Sequence, residues 1–93
     1  MAILHIIAGP LDSQALTKLV NRSHAHDAYV FMDDGVYVLL NKDLSAFADR
    51  PIYGLVNHAN ERGITKLNTQ AIKLITMSEL VILTASYASS MSW

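Results

Sequence analysis

Cysteine is absent from this sequence of 93 residues. Without a thiol, the chain forms no disulfide, holds no thiolate-bound metal and carries no thiol chemistry of its own. Charge is also scarce, because Asp, Glu, Lys and Arg make up only 16% of the residues, against 52% hydrophobic residues. A domain this small then has few charged side chains to cover its surface, so we expect other subunits to bury part of it.

Basic clusters and long apolar runs are missing as well. Seven basic residues face eight acidic ones, the formal net charge is −1, and the basic residues are scattered, which argues against direct nucleic-acid binding. No stretch approaches the roughly 18 apolar residues of a membrane span. The opening MAILHIIAG has no basic segment and contains His5 within its apolar run, unlike a signal peptide. We therefore expect a cytoplasmic protein without membrane contact.

Four short apolar runs, each bounded by turn-forming residues, predict buried strands. They cover residues 3–8, 28–32, 52–56 and 72–76. Asp12 and Ser13 offer an N-cap for a helix with Leu16, Leu19 and Val20 on one face, and residues 21–27 are predicted to be the helix end and a loop. Residues 57–63 predict a short helical turn that ends at Gly63 in a left-handed C-cap.

Two further segments are less regular. Residues 36–40 have a strand-like composition but also suit a helix covering the sheet, and residues 41–48 favour a helix. The last helix is predicted to begin at Thr76 or Ser78, with Glu79 completing a capping box. Apolar spacing on one helical face then extends this helix to Met91.

Strands that are apolar on both faces and alternate with helices indicate a mostly parallel sheet. We predict one small α/β domain over residues 1–93, of the Rossmann or flavodoxin-like type. It has four to five strands and helices on both faces.

The candidate catalytic groups have simpler interpretations. Asp33 and Asp34, before Gly35, follow a predicted strand and could hold Mg²⁺, but they equally form a turn. His24 and His26 are predicted to be solvated loop residues. His5 and His58 lack a neighbouring nucleophile, and no cofactor or metal motif stands out. A metal-dependent or small-ligand enzyme using Asp33, Asp34 and His58 or His5 is therefore a secondary hypothesis.

The order of several short motifs resembles the DsrH/TusB family of sulfur-relay subunits. The stretches that carry the resemblance are ILHII at the start, DGVY from Asp34 to Tyr37, ERGI around Arg62 and Gly63, and LVILT followed by SSMSW at the end. Their order and spacing fit nearly the whole chain.

The resemblance implies a flavodoxin-like fold and a heterohexamer with DsrE/TusD-like and DsrF/TusC-like subunits. TusB-like members serve complexes that pass persulfide sulfur, through a DsrC/TusE-like acceptor, toward 2-thiouridine at the tRNA wobble position. DsrH-like members of sulfur oxidisers serve the dissimilatory pathway. Any contact with tRNA is expected to be indirect.

The missing cysteine bears on this role. Some DsrH-like relatives carry a cysteine in the first helix, at a position near Leu19 of this chain. Because a persulfide needs a thiolate acceptor, we expect a non-catalytic, TusB-like subunit whose companion holds the reactive cysteine.

The motifs also supply candidate family or interface residues: Asp34, Gly35, Tyr37, Arg62, Gly63, Met91 and Trp93. Met91 and Trp93 are expected at the end of the last helix, packed either on the sheet or in a subunit contact. A free-standing homo-oligomeric binding module of the same fold is a further alternative.

Overall fold

Strands and helices alternate along the residues that the computed structural model describes, which are 2–40, 47, 50–64 and 72–93. In chain order the elements are β1 (Ile3–Ile7), α1 (Ser13–Arg22), β2 (Ala28–Phe31), a 3₁₀ helix (Asp33–Leu40), β3 (Ile52–Leu55), α2 (Val56–Glu61), β4 (Ile72–Ile75), α3 (Met77–Ala85) and β5 (Ser89–Ser92). The five strands form one sheet in the order β4-β3-β2-β1-β5, and every neighbouring pair is parallel.

The strand order explains why helices cover both faces of the sheet. From β1 to β4, each new strand lies next to the previous one, always in the same direction across the sheet. Right-handed crossovers then place the connections between these strands on one face of the sheet. The connection through α3 returns in the opposite direction, from β4 to β5, and lies on the other face. The predicted single α/β domain with a parallel sheet is thereby confirmed.

Alternation along β2 divides the core into two clusters. Tyr29 and Phe31 point to the face covered by α1 and the 3₁₀ helix, whereas Ala28 and Val30 point to the face covered by α3. All four side chains are fully buried. A strand buried on both faces reads as a continuous apolar run, which is why the sequence predicted β2 correctly.

Helix capping agrees with the sequence prediction at both long helices. The Asp12 carboxylate accepts a 2.8 Å hydrogen bond from the N–H of Ala15 at the start of α1. At α3, Thr76 and Glu79 bond to each other's backbone N–H in a capping box. The bond from the Thr76 N–H is the main reason that the pKa of Glu79 is lowered.

Residues 36–40, for which the sequence allowed either a strand or a helix, belong to the 3₁₀ helix. Val36, Val38 and Leu39 are buried there, so the helix covers the sheet. The helix predicted over residues 41–48 lies outside the described residues, apart from Phe47, whose side chain is fully buried.

The prediction for the end of the chain was wrong. Helix α3 ends at Ala85 rather than continuing to Met91, and Met91 lies in β5 beside His5 of β1. Trp93 follows this strand, and its N–H donates to the carbonyl oxygen of Ile6 at 2.8 Å. Serine is a poor helix former, and pairing with β1 satisfies the backbone of these residues as a strand.

Several large apolar side chains remain at the surface: Tyr37, Leu40, Met77, Val81, Ile82, Met91 and Trp93. Among the described residues, no helix has the combination of length and apolar character needed to cross a membrane.

Candidate functional site

The carboxyl ends of β1, β2 and β3 meet at one end of the sheet, where parallel α/β proteins commonly bind their ligands. Asp33 and Asp34 begin the 3₁₀ helix just after β2. His58 lies in α2, which follows β3 directly, and Arg62 is the C-cap of α2. We refer to Asp33, Asp34, His58 and Arg62 as the carboxyl-end cluster.

Gly35 sets the path of the chain through this region. Its N–H approaches the carbonyl oxygens of Met32 at 2.9 Å and of Ala8 at 3.2 Å. A Cβ at position 35 would overlap the carbonyl oxygen of Ile7, so any larger residue must displace backbone. Gly35 therefore allows the start of the 3₁₀ helix to lie directly against the end of β1.

The first pair in the cluster joins Asp33 and His58. The backbone N–H of Asp33 donates to Nδ1 of His58 at 2.7 Å, and Oδ1 of Asp33 lies 3.5 Å from the same nitrogen. Because a backbone N–H only donates, Nδ1 of His58 is the acceptor in this bond. Asp33 has a φ of 48°, a left-handed conformation that Asp tolerates better than most residues, and this bond helps to hold it.

The second pair joins Arg62 and Asp34. Nε of Arg62 donates to Oδ1 of Asp34 at 3.0 Å, and Nη1 donates to the carbonyl oxygen of His58 at 3.2 Å. The hydrogen bond to Asp34 is the main reason that the pKa of Arg62 is raised, and nearby Tyr37 adds to the effect. The Asp34 carboxylate is 60% exposed, so water weakens the attraction.

Gly63 explains the position of Arg62. It has a φ of 72°, and its N–H donates to the carbonyl oxygen of Asn60. The N–H of Ile64 donates to the carbonyl oxygen of Ala59 at 2.8 Å, which completes a Schellman motif. The side chains of Ile64 and Ala59 are both buried. The predicted left-handed C-cap is confirmed, and it ends α2 with Arg62 directed at Asp34.

The carboxyl-end cluster is a polar surface in which Arg62 and Asp34 form an ion pair and the Asp33 carboxylate lies 3.5 Å from the His58 ring. Arg62 neutralises Asp34, and Asp33 and His58 are joined through the backbone. Within the part of the chain that the structure describes, no three His, Asp or Glu residues are grouped as metal ligands. The structure brings Asp33, Asp34 and His58 together, but it places His5 in a different cluster.

A second polar cluster is buried beneath α1, and its acidic member was missed by the sequence analysis. Nε2 of His5 lies 2.8 Å from Oδ2 of Asp27, and both side chains are almost fully buried. Asp27 also accepts from the N–H groups of Ile3 at 2.9 Å and His24 at 3.1 Å. Burial alone would raise the pKa of Asp27, but hydrogen bonds from His5, Ile3 and His24 outweigh it, so this pKa is lowered.

Trp93, which is partly exposed, contacts the buried cluster. Its indole Nε1 donates to Nδ1 of His5 at 3.0 Å. Because an indole N–H only donates, Nδ1 must accept, and the ring proton of His5 is on Nε2, directed at Asp27. The His5 ring also stacks on Tyr29, with centroids 5.2 Å apart. A histidine within an apolar strand was the available signal, because a buried polar side chain requires partners.

The chain matches the family described as "DsrH like protein" over residues 9–90. It belongs to the DsrH-like family. This DsrH-like chain is also similar to the YchN protein from E. coli, known from a crystal structure, with a TM-score of 0.74 and 19% identity over 100% of both chains. At that identity the likeness shows the fold alone. No curated protein sequence matches the chain.

The candidate residues from the motifs fall in two places on this DsrH-like fold. Those near the carboxyl ends of the strands are Asp34, Gly35, Tyr37, Arg62 and Gly63. Met91 and Trp93 lie beyond the family match, in and just after β5 at the edge of the sheet. Exposed His24 and His26 agree with the prediction of solvated loop residues.

Proposed function

We propose that this DsrH-like chain is a non-catalytic subunit of a heteromeric complex that passes persulfide sulfur toward 2-thiouridine at the tRNA wobble position. The DsrH-like family suggests a sulfur-relay subunit, and the observation that carries our more specific proposal is the absence of cysteine. A persulfide is accepted and passed on by a thiolate, which this chain cannot supply. A DsrE/TusD-like companion supplies it in our proposal, and a DsrF/TusC-like chain completes the complex.

The exposed face of α3 supports a role in assembly. Met77, Val81 and Ile82 are 47%, 64% and 70% exposed, although they are apolar. Met77 and Val81 lie four residues apart, so they are neighbours on the surface of this helix, and Ile82 follows Val81. Exposed apolar patches of this kind are typical of protein–protein interfaces.

The test is co-expression of this chain with DsrE/TusD-like and DsrF/TusC-like proteins, followed by native mass spectrometry. We expect a complex with two copies of each chain. Ile82→Glu should weaken this complex, because it places a charge in an apolar contact, whereas Asn57→Glu, an exposed control on α2, should not. An isolated monomer that ignores both companions would contradict the proposal.

A second experiment supplies the complex with isotopically labelled persulfide and determines which molecules receive the label. We expect covalent label on a companion's cysteine and none on this chain, together with label in wobble 2-thiouridine once a DsrC/TusE-like acceptor and tRNA thiolation enzymes are added. An intact complex that never labels tRNA, but supports sulfur oxidation, would contradict the tRNA branch and leave the structural role in place.

A further inference from the structure

We propose that the open edge of β5, together with the groove between α1 and Trp93, binds an extended acidic segment of a partner polypeptide, which adds to the sheet as a further strand. This binding site goes beyond the sulfur-relay role and does not depend on it. Three observations support it: the shape of the groove, two cations beside it and the exposed backbone of β5.

The groove has a volume of about 200 Å³ and is lined by Leu11, Ala15, Lys18, Leu19, Arg22 and Trp93. Leu19 is buried, whereas the indole of Trp93 is 44% exposed. Small-molecule pockets usually measure about 300–1,000 Å³. A smaller apolar groove beside a strand suits one side chain of a bound peptide rather than a separate ligand.

Lys18 and Arg22 determine the charge of the partner. They lie four residues apart on α1, so their side chains are neighbours on one helical face, and both are exposed. No hydrogen bond or ion pair joins either side chain to another residue within the described ranges. Two adjacent cations that make no ion pair with the described residues, beside an apolar groove, favour a carboxylate-bearing segment.

The backbone of β5 is available for pairing. The N–H of Trp93 bonds to β1, and backbone groups of a strand alternate between its two sides, so Ser90 and Ser92 direct their N–H and C=O groups away from β1. All four residues of β5 are exposed. The strand contains no Lys or Pro of the kind that discourages edge pairing, whereas β4 at the opposite edge carries exposed Lys73.

Our proposal also specifies how the side chains of the segment are spaced. Alternate side chains of an added strand point to the same face. An apolar residue that enters the groove should therefore be followed, two and four residues later, by acidic residues within reach of Lys18 and Arg22. The pattern is apolar-x-acidic-x-acidic.

Trp93 makes the test direct, because it is the only tryptophan in the chain. We would titrate the full chain with the peptide acetyl-Thr-Leu-Thr-Glu-Thr-Glu-Thr-amide and follow indole fluorescence. Binding should cover the partly exposed indole and give a saturable shift of emission to shorter wavelength. A peptide with both Glu residues replaced by Lys should give no shift, and higher salt should weaken binding.

Charge variants and a modified peptide test separately how the groove and the strand edge contribute to peptide binding. Lys18→Gln with Arg22→Gln should weaken binding of the Glu peptide about tenfold, whereas Lys73→Gln at the opposite edge should leave it unchanged. A peptide N-methylated on all five of its inner backbone nitrogens should not bind, because one alternate set of these nitrogens faces β5. The proposal is overturned by the absence of a shift with the Glu peptide, by equal binding of the Lys peptide, or by full binding of the N-methylated peptide.

Discussion

The two polar clusters of this fold combine similar residues in opposite surroundings. Asp27 and His5 are 0% and 4% exposed at the side chain, whereas Asp33 and His58 of the carboxyl-end cluster are 54% and 19% exposed. In the buried cluster the carboxylate accepts three hydrogen bonds, and both nitrogens of the His5 ring are engaged. In the exposed cluster the carboxylates remain open to water.

Burial, rather than residue type, determines what an aspartate–histidine pair does in this molecule. The buried pair links the start of β2, the middle of β1 and the residue after β5, so its role is structural. The exposed pair contributes little to stability because water screens it. It lies at the carboxyl ends of the strands, where parallel α/β proteins commonly bind their ligands.

The largest expected effect comes from Asp27→Asn. The amide keeps the shape of the carboxylate but turns one acceptor into a donor, which then faces either the N–H of Ile3 or both the N–H of His24 and the ring of His5. We expect a loss of about 3 kcal/mol in the free energy of unfolding, measured by urea denaturation. Asp34→Asn is the matched control, and an equal loss there would contradict the comparison.

The pH dependence of stability should separate the same two variants. Because the pKa of Asp27 is lowered in the folded state, its contribution is present above the unfolded value of about 3.9 and is lost as the pH falls through the folded pKa. The stability difference between the wild type and Asp27→Asn should therefore shrink in strong acid. Urea midpoints from pH 6 to pH 2.5 test this, and a difference that grows on acidification would refute it.

Gly35→Ala tests how the carboxyl-end cluster is positioned. The added methyl overlaps the Ile7 carbonyl oxygen, so backbone must move, and we expect a loss of about 2 kcal/mol. Gly9→Ala is a suitable control, because its Cβ meets nothing within 4 Å. Thermal unfolding of both variants is the measurement, and equal midpoints would show that the close approach is not required.

Trp93→Phe should have a smaller effect on the buried cluster. Phenylalanine keeps the aromatic ring but leaves Nδ1 of His5 without its donor, at a cost of about 1 kcal/mol. Met91→Leu, in the strand that Trp93 follows, preserves every hydrogen bond and should be nearly neutral. If both variants lose the same stability by chemical denaturation, the indole N–H is not responsible.

Arg62→Gln should have the smallest effect on stability, because its ion pair with Asp34 is solvent-exposed. Its thermal midpoint should stay close to that of the wild type. A loss as large as that of Asp27→Asn would remove the distinction between the two clusters.

Much of the fold was predictable from local patterns. Strand β2 is buried on both faces and was visible as an apolar run, and Thr76 and Glu79 specified the start of α3 through their own side chains. Strand β5 was missed because its residues, SSMS, have no strand pattern of their own. Its conformation depends on pairing with β1, which lies far away in the sequence.

The candidate sites were predictable only in part, for a related reason. Asp34 and Arg62 were singled out by motifs, but their contact joins residues 28 positions apart. The bond between Trp93 and His5 spans 88 positions. No spacing rule connects such residues, because their proximity arises from the order of strands in the sheet.

The pairing of β1 with β5 has a consequence for how the molecule folds. Bringing these strands together closes a very long loop, and closing it has a larger entropic cost than the neighbouring crossovers. With all of its residues exposed, β5 is then expected to dock last and to detach first. Amide hydrogens of β5 should exchange well before those of β2, and partial opening there would dismantle the groove beside α1 while the remaining sheet stays intact.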